Sequence, residues 1–129
     1  MSLKIKATTP CYKFINASPE EQLTKIREEV EEVAQAWAAY SEDKTHENLQ
    51  HLLVELLDVK ACVNTAMAQI HKDNDNENRK RAAKNKTDKS KPIFLLDFRF
   101  NKRLAKGIVI GKNLRRGYYI EDKGEEDHE

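Results

Sequence analysis

SPEEQLTKIREEVEEVAQAWAAY, residues 18–40, decides the fold. Ser18 is a helix-capping residue, Pro19 suits the first helical position, and Glu21 completes a capping box. Behind that start, Leu23, Ile26, Val30, Val33, Trp37 and Tyr40 recur in steps of three and four. The spacing predicts one apolar stripe on a helix over 19–41. Working outward, a polar connection at 41–48 leads into LQHLLVELLDVKACVNTAMAQI (49–70), with Thr45 placed as a cap. Leu49, Leu52, Leu56, Val59, Val63, Ala66 and Ile70 repeat the spacing, and Leu53, Leu57 and Met67 widen the stripe. They predict a second, more buried helix over 46–71. A short connection between two long amphipathic helices predicts an antiparallel hairpin.

The flanks are less regular. Residues 1–17 have no period and read as an extended or irregular lead-in. Residues 72–91 hold eight Lys/Arg and four Asp/Glu, interrupted by two alanines. Such a stretch has little to bury and predicts a flexible polar insertion or a solvated extension of the helix. Pro92 opens IFLLDFRF, where Phe94, Leu96, Phe98 and Phe100 alternate, so a helical turn and a strand both remain open. This C-terminal element runs over 93–120, and the acidic tail 121–129 is expected to be disordered. The predicted class is all-α, in a single domain over 1–129.

Composition sets further bounds. With 39% hydrophobic and 35% charged residues in 129, one copy buries little by itself. That predicts a homodimer or homotetramer in which the hairpins form four-helix bundles. A net charge of +1 argues against global attraction to nucleic acid or anionic lipid. Cys11 and Cys62 form no CxxC, and Cys62 falls within the second helix as a small buried thiol, so a cytoplasmic location is expected. No leader is evident, and no apolar run approaches the roughly 20 residues that span a bilayer. A GxSxG motif, a P-loop and zinc spacing among the four His are all missing.

Chemistry concentrates in the acids. The first helix carries Glu28, Glu29, Glu31 and Glu32, and the second carries Glu55 and Asp58. Carboxylates at i and i+3 share a helix face at about 100° per residue. They repel unless a cation bridges them, and Mg2+ takes oxygen ligands that it commonly shares with substrate phosphates. Glu29 and Glu32 lie six and nine residues after Leu23, and Glu55 and Asp58 six and nine after Leu49. Both pairs therefore flank their stripes in the same phase, and packed helices would bring four carboxylates together. Glu28 lies farther round as an outer ligand, and Glu31 points away. His51 shares the flank of Glu55 and Asp58, within reach of a substrate phosphate. The plain alternative is a solvated Glu-rich face, with Lys25 and Glu29 an ordinary i, i+4 ion pair.

Glu28-Glu29-x-x-Glu32 followed by Glu55-x-x-Asp58 resembles the EExxE…ExxD signature of MazG-like nucleotide pyrophosphohydrolases, an all-α superfamily with dimeric dUTP- and dCTP-hydrolysing branches. Lys112-Asn113-Leu114-Arg115-Arg116-Gly117-Tyr118-Tyr119 is similar to a C-terminal element of many members, in which an Asn and an Arg three residues on lie near the nucleotide. The likeness covers residues 19–71 well and 106–120 in part, and leaves 72–105 as an insertion. It implies Mg2+-dependent cleavage of a nucleoside triphosphate, NTP or dNTP, between the α and β phosphates, with Mn2+ a possible substitute. It further implies Glu29, Glu32, Glu55 and Asp58 as catalytic metal ligands with Glu28 beside them, Lys112 and Arg116 on phosphate, and Asn113 on sugar or base. Trp37 and the pair Tyr118-Tyr119 read as packing rather than recognition. Two alternatives are a non-enzymatic helical interaction module and a nucleic-acid-binding module built on residues 72–91. The second lacks aromatic side chains for base stacking in that segment.

Overall fold

The computed structural model describes residues 4–87, 89–90 and 94–120. Over these residues the protein is all-helical, as its sequence predicts. A 3-10 turn at Tyr12–Phe14 precedes α1 (Pro19–Glu42), α2 (His46–Thr87) and α3 (Phe98–Arg115), and no strand occurs among the described residues. Two compact units, Met1–Lys80 and Arg81–Glu129, divide the chain within α2. The sequence predicts one domain over 1–129. The boundary falls where residues 72–91 offer no apolar side chain larger than alanine.

The start of α1 and the α1–α2 connection both follow from local chemistry. Ser18 Oγ accepts from the Glu21 amide at 3.1 Å, and Glu21 Oε1 accepts from the Ser18 amide at 3.4 Å. This capping box, with Pro19 at its first helical position, starts α1. Thr45 Oγ1 accepts from the Asn48 amide at 3.1 Å, and Asn48 Nδ2 donates to the Asp43 carbonyl at 2.8 Å. The chain reverses there. Farther along, Gln22 Nε2 donates to the Cys62 carbonyl at 2.9 Å, and Asn48 Nδ2 also reaches the Ala39 carbonyl at 3.4 Å. Early α1 therefore meets middle α2 and late α1 meets early α2, an antiparallel hairpin.

The hairpin covers only part of each predicted stripe. Gln22, Glu29 and Ala36 are buried on α1, and Leu52, Ala61, Cys62 and Thr65 on α2. Leu23, Val30 and Trp37 remain 52%, 50% and 54% exposed, and Leu49, Leu53, Leu56, Leu57, Val63, Met67 and Ile70 are exposed as well. On α2 as on α1, much of the stripe stays open to solvent. One partner helix can cover one edge of a stripe about 100° wide.

The lead-in runs beside α2 and is held by polar side chains. Asn64 Nδ2 donates to the Thr8 carbonyl at 2.7 Å, Thr65 Oγ1 accepts from the Cys11 amide at 2.9 Å, and Gln69 Nε2 donates to the Phe14 carbonyl at 2.9 Å. Gln69 Nε2 also donates to Gln22 Oε1 at 2.9 Å, and Lys72 pairs with Asn16. Cys11 and Cys62 are both free.

Residues 72–87, expected as a flexible insertion or a solvated extension of the helix, continue α2 as helix to Thr87. The solvated extension forms because no Gly or Pro interrupts 72–91, and adding residues to an established helix costs far less than nucleating one. In the second unit, Phe94–Asp97 lies outside regular structure, so the alternating phenylalanines do not form a strand. Asp97 Oδ1 accepts from the Phe100 amide at 2.9 Å and starts α3. That helix ends where Tyr118 N donates to the Asn113 carbonyl at 2.9 Å and Gly117 N to the Leu114 carbonyl at 3.1 Å. The paired bonds form a Schellman cap, and Gly117 takes its required left-handed conformation at φ 71°. Pro92, Ile93 and the acidic tail 121–129 lie outside the described residues. No helix among the described residues is long and apolar enough to cross a membrane.

Candidate metal centre

Two turns into the hairpin from Gln22, the helices bring acids face to face. One oxygen from each of Glu29, Glu32 and Glu55 lies within 4.8 Å of the others. Among the described residues Glu29 is the most buried acid, 7% exposed, because its position on α1 repeats the inward phase of Gln22 and Ala36. Glu55 is half-buried, and Glu32 is exposed.

The two inner acids share one arrangement. Lys25 Nζ lies 2.9 Å from Glu29 Oε1, and His51 Nε2 lies 3.3 Å from Glu55 Oε1. The other oxygens, Glu29 Oε2 and Glu55 Oε2, are buried and have no hydrogen-bond partner. Magnitudes decide what this means. A half-exposed i, i+4 ion pair contributes about 0.5 kcal/mol, whereas one unsatisfied buried polar atom costs about 1–3 kcal/mol. The cluster is thus a poor device for stability, and its oxygens could hold a cation.

Proton affinities agree with crowded negative charge. The Glu32 carboxyl is raised above its ordinary 4.5, first by the adjoining Glu55 carboxyl, with which it would share a proton, and then by the charge of Glu29. Asp58 is raised above 3.8, mainly by desolvation and then by the charges of Glu29 and Glu55, with Lys25 opposing. The Cys62 thiol is likewise raised, chiefly by burial and then by Glu29.

The other predicted residues are distributed as follows. Asp58 feels both inner acids but stands outside the three-oxygen group. Glu28 is exposed and lines a separate groove with Phe14, Glu21 and Lys25. Lys112, Asn113 and Arg116 belong to the second unit, at the end of α3. There Asn113 Nδ2 donates to Tyr119 Oη at 3.2 Å, and the Arg116 guanidinium stands 5.7 Å from the centre of the Tyr118 ring. The two tyrosines therefore hold the side chains that the motif singles out.

A pocket of about 400 Å³ opens beside the acids, lined by Glu32, Gln35, Ala36, Asn48, His51 and Glu55. Its size falls in the range of small-molecule sites. Gln35 and Asn48 escape sequence reasoning because neither belongs to an acidic motif or an apolar stripe. The only available signal was their phase, Gln35 three residues after Glu32 and Asn48 three before His51. No protein-family model, curated protein or solved structure matches the chain.

Proposed function

We propose that this protein is a Mg2+-dependent nucleoside triphosphate pyrophosphohydrolase of the MazG-like kind, releasing a nucleoside monophosphate and pyrophosphate. The observation that carries the proposal is the group Glu29, Glu32 and Glu55, in which two acids each keep a buried oxygen unpartnered. An all-oxygen donor set with orphaned carboxylate atoms fits a hard divalent cation. Bound Mg2+ would neutralise phosphate charge and acidify a water, which is the help phosphoryl transfer chiefly needs.

The chain's own residues would do the rest. Glu29, Glu32 and Glu55 would hold the ion, with Asp58 as a fourth carboxylate and Glu28 as an outer one. One of these acids would also orient the attacking water. His51 and the pocket beside it would border the phosphates, Lys112 and Arg116 would offset their charge, and Asn113 would hydrogen-bond sugar or base. A homodimer or homotetramer would cover the exposed stripe residues and form the four-helix bundles of this class. The same exposed apolar residues favour a second reading, a helical interaction module without catalysis.

A panel of NTPs and dNTPs with Mg2+, products identified, separates the two. Monophosphate and pyrophosphate, abolished by EDTA and by Glu55→Gln, is the expected result and names the substrate. Failure of folded, Mg2+-loaded protein to turn over any nucleotide would leave the interaction module.

A further inference from the structure

The spacing of base and acid repeats on the two helices. Lys25, Glu29 and Glu32 stand at i, i+4 and i+7 on α1, and His51, Glu55 and Asp58 stand at i, i+4 and i+7 on α2. On each helix the basic side chain meets the Oε1 oxygen of the following Glu, at 2.9 Å from Lys25 and 3.3 Å from His51. On each helix the Oε2 oxygen of that Glu is left buried and unpartnered. Lys25 and His51 are themselves open to solvent, with side chains 51% and 63% exposed, against 9% and 14% for Glu29 and Glu55.

From this geometry we infer that Lys25 and His51 are matched positioning residues, each anchoring one oxygen of an inner carboxylate so that the other faces the metal. The inference rests on the metal-centre reading above and assigns work to two side chains outside the EExxE and ExxD motifs. A carboxylate on a long Glu side chain rotates freely about its last bond. Crowded by two like charges, Glu29 and Glu55 would otherwise turn apart. A base four residues earlier fixes the rotation from the solvent side without occupying the inner oxygen. Partners of this kind around a metal typically account for 10–100-fold in affinity.

Charge alone predicts the opposite sign for Lys25. Its ammonium repels a divalent cation, so removing it would tighten metal binding if Lys25 were only a neighbouring charge. Weaker binding therefore reports positioning.

Mn2+ binding to the full-length, metal-free protein, read by calorimetry or by the paramagnetic resonance of free Mn2+, provides the test without any turnover. Lys25→Met and His51→Leu remove the anchors while leaving exposed apolar stems. Lys25→Arg and His51→Gln keep an N–H group near Oε1. Each removal is expected to weaken Mn2+ binding about tenfold or more, and each conservative variant is expected to recover most of it. Ser18→Ala, which weakens the distant α1 cap, controls for general destabilisation and is expected to leave affinity unchanged. Unchanged or tighter binding in Lys25→Met and His51→Leu would overturn the inference. So would equal losses in Ser18→Ala. No Mn2+ binding by the wild-type protein, with Glu29→Gln behaving identically, would instead bring down the metal-centre reading and the inference with it.

Discussion

At Glu29 a carboxylate lies in the hairpin interface with one oxygen paired to Lys25 and the other unpartnered. Without metal, Glu32 is held above its ordinary pKa first by Glu55 and then by the charge of Glu29, and Asp58 first by desolvation and then by that same charge. The consequence for stability has a definite sign. A carboxyl whose folded pKa is raised binds more protons folded than unfolded, so its penalty is full at neutral pH and is relieved as pH falls through the folded value toward 4.5 and 3.8. In EDTA at neutral pH, Glu29→Gln is therefore expected to be more stable than wild type. That advantage should shrink as pH is lowered toward the ordinary carboxylate value. Saturating Mg2+ should reverse the order, since only the wild type gains from the ion. Melting curves of both proteins across pH, with EDTA and with Mg2+, give the comparison. A variant less stable than wild type in EDTA would mean that the Lys25–Glu29 pair outweighs the crowding.

The elements differ in what sustains them. α1 depends on its capping box and on contact with the first half of α2, so Ser18→Ala should cost about 1 kcal/mol in a denaturant titration. Residues 72–87 of α2 stand on propensity and a few polar contacts. Ala83→Pro is expected to remove helical ellipticity from those last turns while leaving the melting temperature of the first unit unchanged. A large drop in that temperature would show that the extension stabilises the hairpin. Legibility in the sequence follows the same division. Both caps and both hairpin helices were readable, because Ser18, Glu21 and Thr45 act on atoms within three residues of themselves. The helical state of 72–87 was only one of two options, because absence of breakers permits a helix and does not require one. Alternating Phe94, Leu96, Phe98 and Phe100 suggested a strand as readily as a helix until the Asp97 cap set α3.

At the scale of the whole molecule, the exposed half of the α1 stripe is unfinished business for a single copy. Leu23, Val30 and Trp37 repeat at seven residues and lie about half exposed. If the proposed dimer or tetramer covers them, Trp37 becomes a reporter, since it is the only tryptophan of the chain. Its emission is expected to be blue-shifted at high protein concentration and to move to the red on dilution, in step with a fall in mass by light scattering. Trp37→Asp should yield a monomer at all concentrations. A concentration-independent monomer in the wild type would remove the four-helix bundle from the proposal while leaving the acid cluster of the single chain in place. Charge is also divided between the units: residues 1–80 hold ten Lys/Arg and fourteen Asp/Glu, and residues 81–120 hold twelve and two. The acid cluster thus lies in the more negative unit, and Lys112 and Arg116 in the more positive one.

The sequence by itself determined the all-α class, the hairpin, its caps and the common phase of the two acid pairs, because periodicity and capping act over one or two turns of backbone. Only the tertiary structure decided that Glu29, Glu32 and Glu55 form the close group while Asp58 and Glu28 stand outside it. A helix phase places a side chain to within one face; the separation of two facing carboxylates depends on how far one helix slides and rolls on the other. The same packing decided that Gln22, rather than Leu23, turns inward. Its amide there meets the Cys62 carbonyl and Gln69, a match that exists only between helices and leaves no trace in the spacing of either.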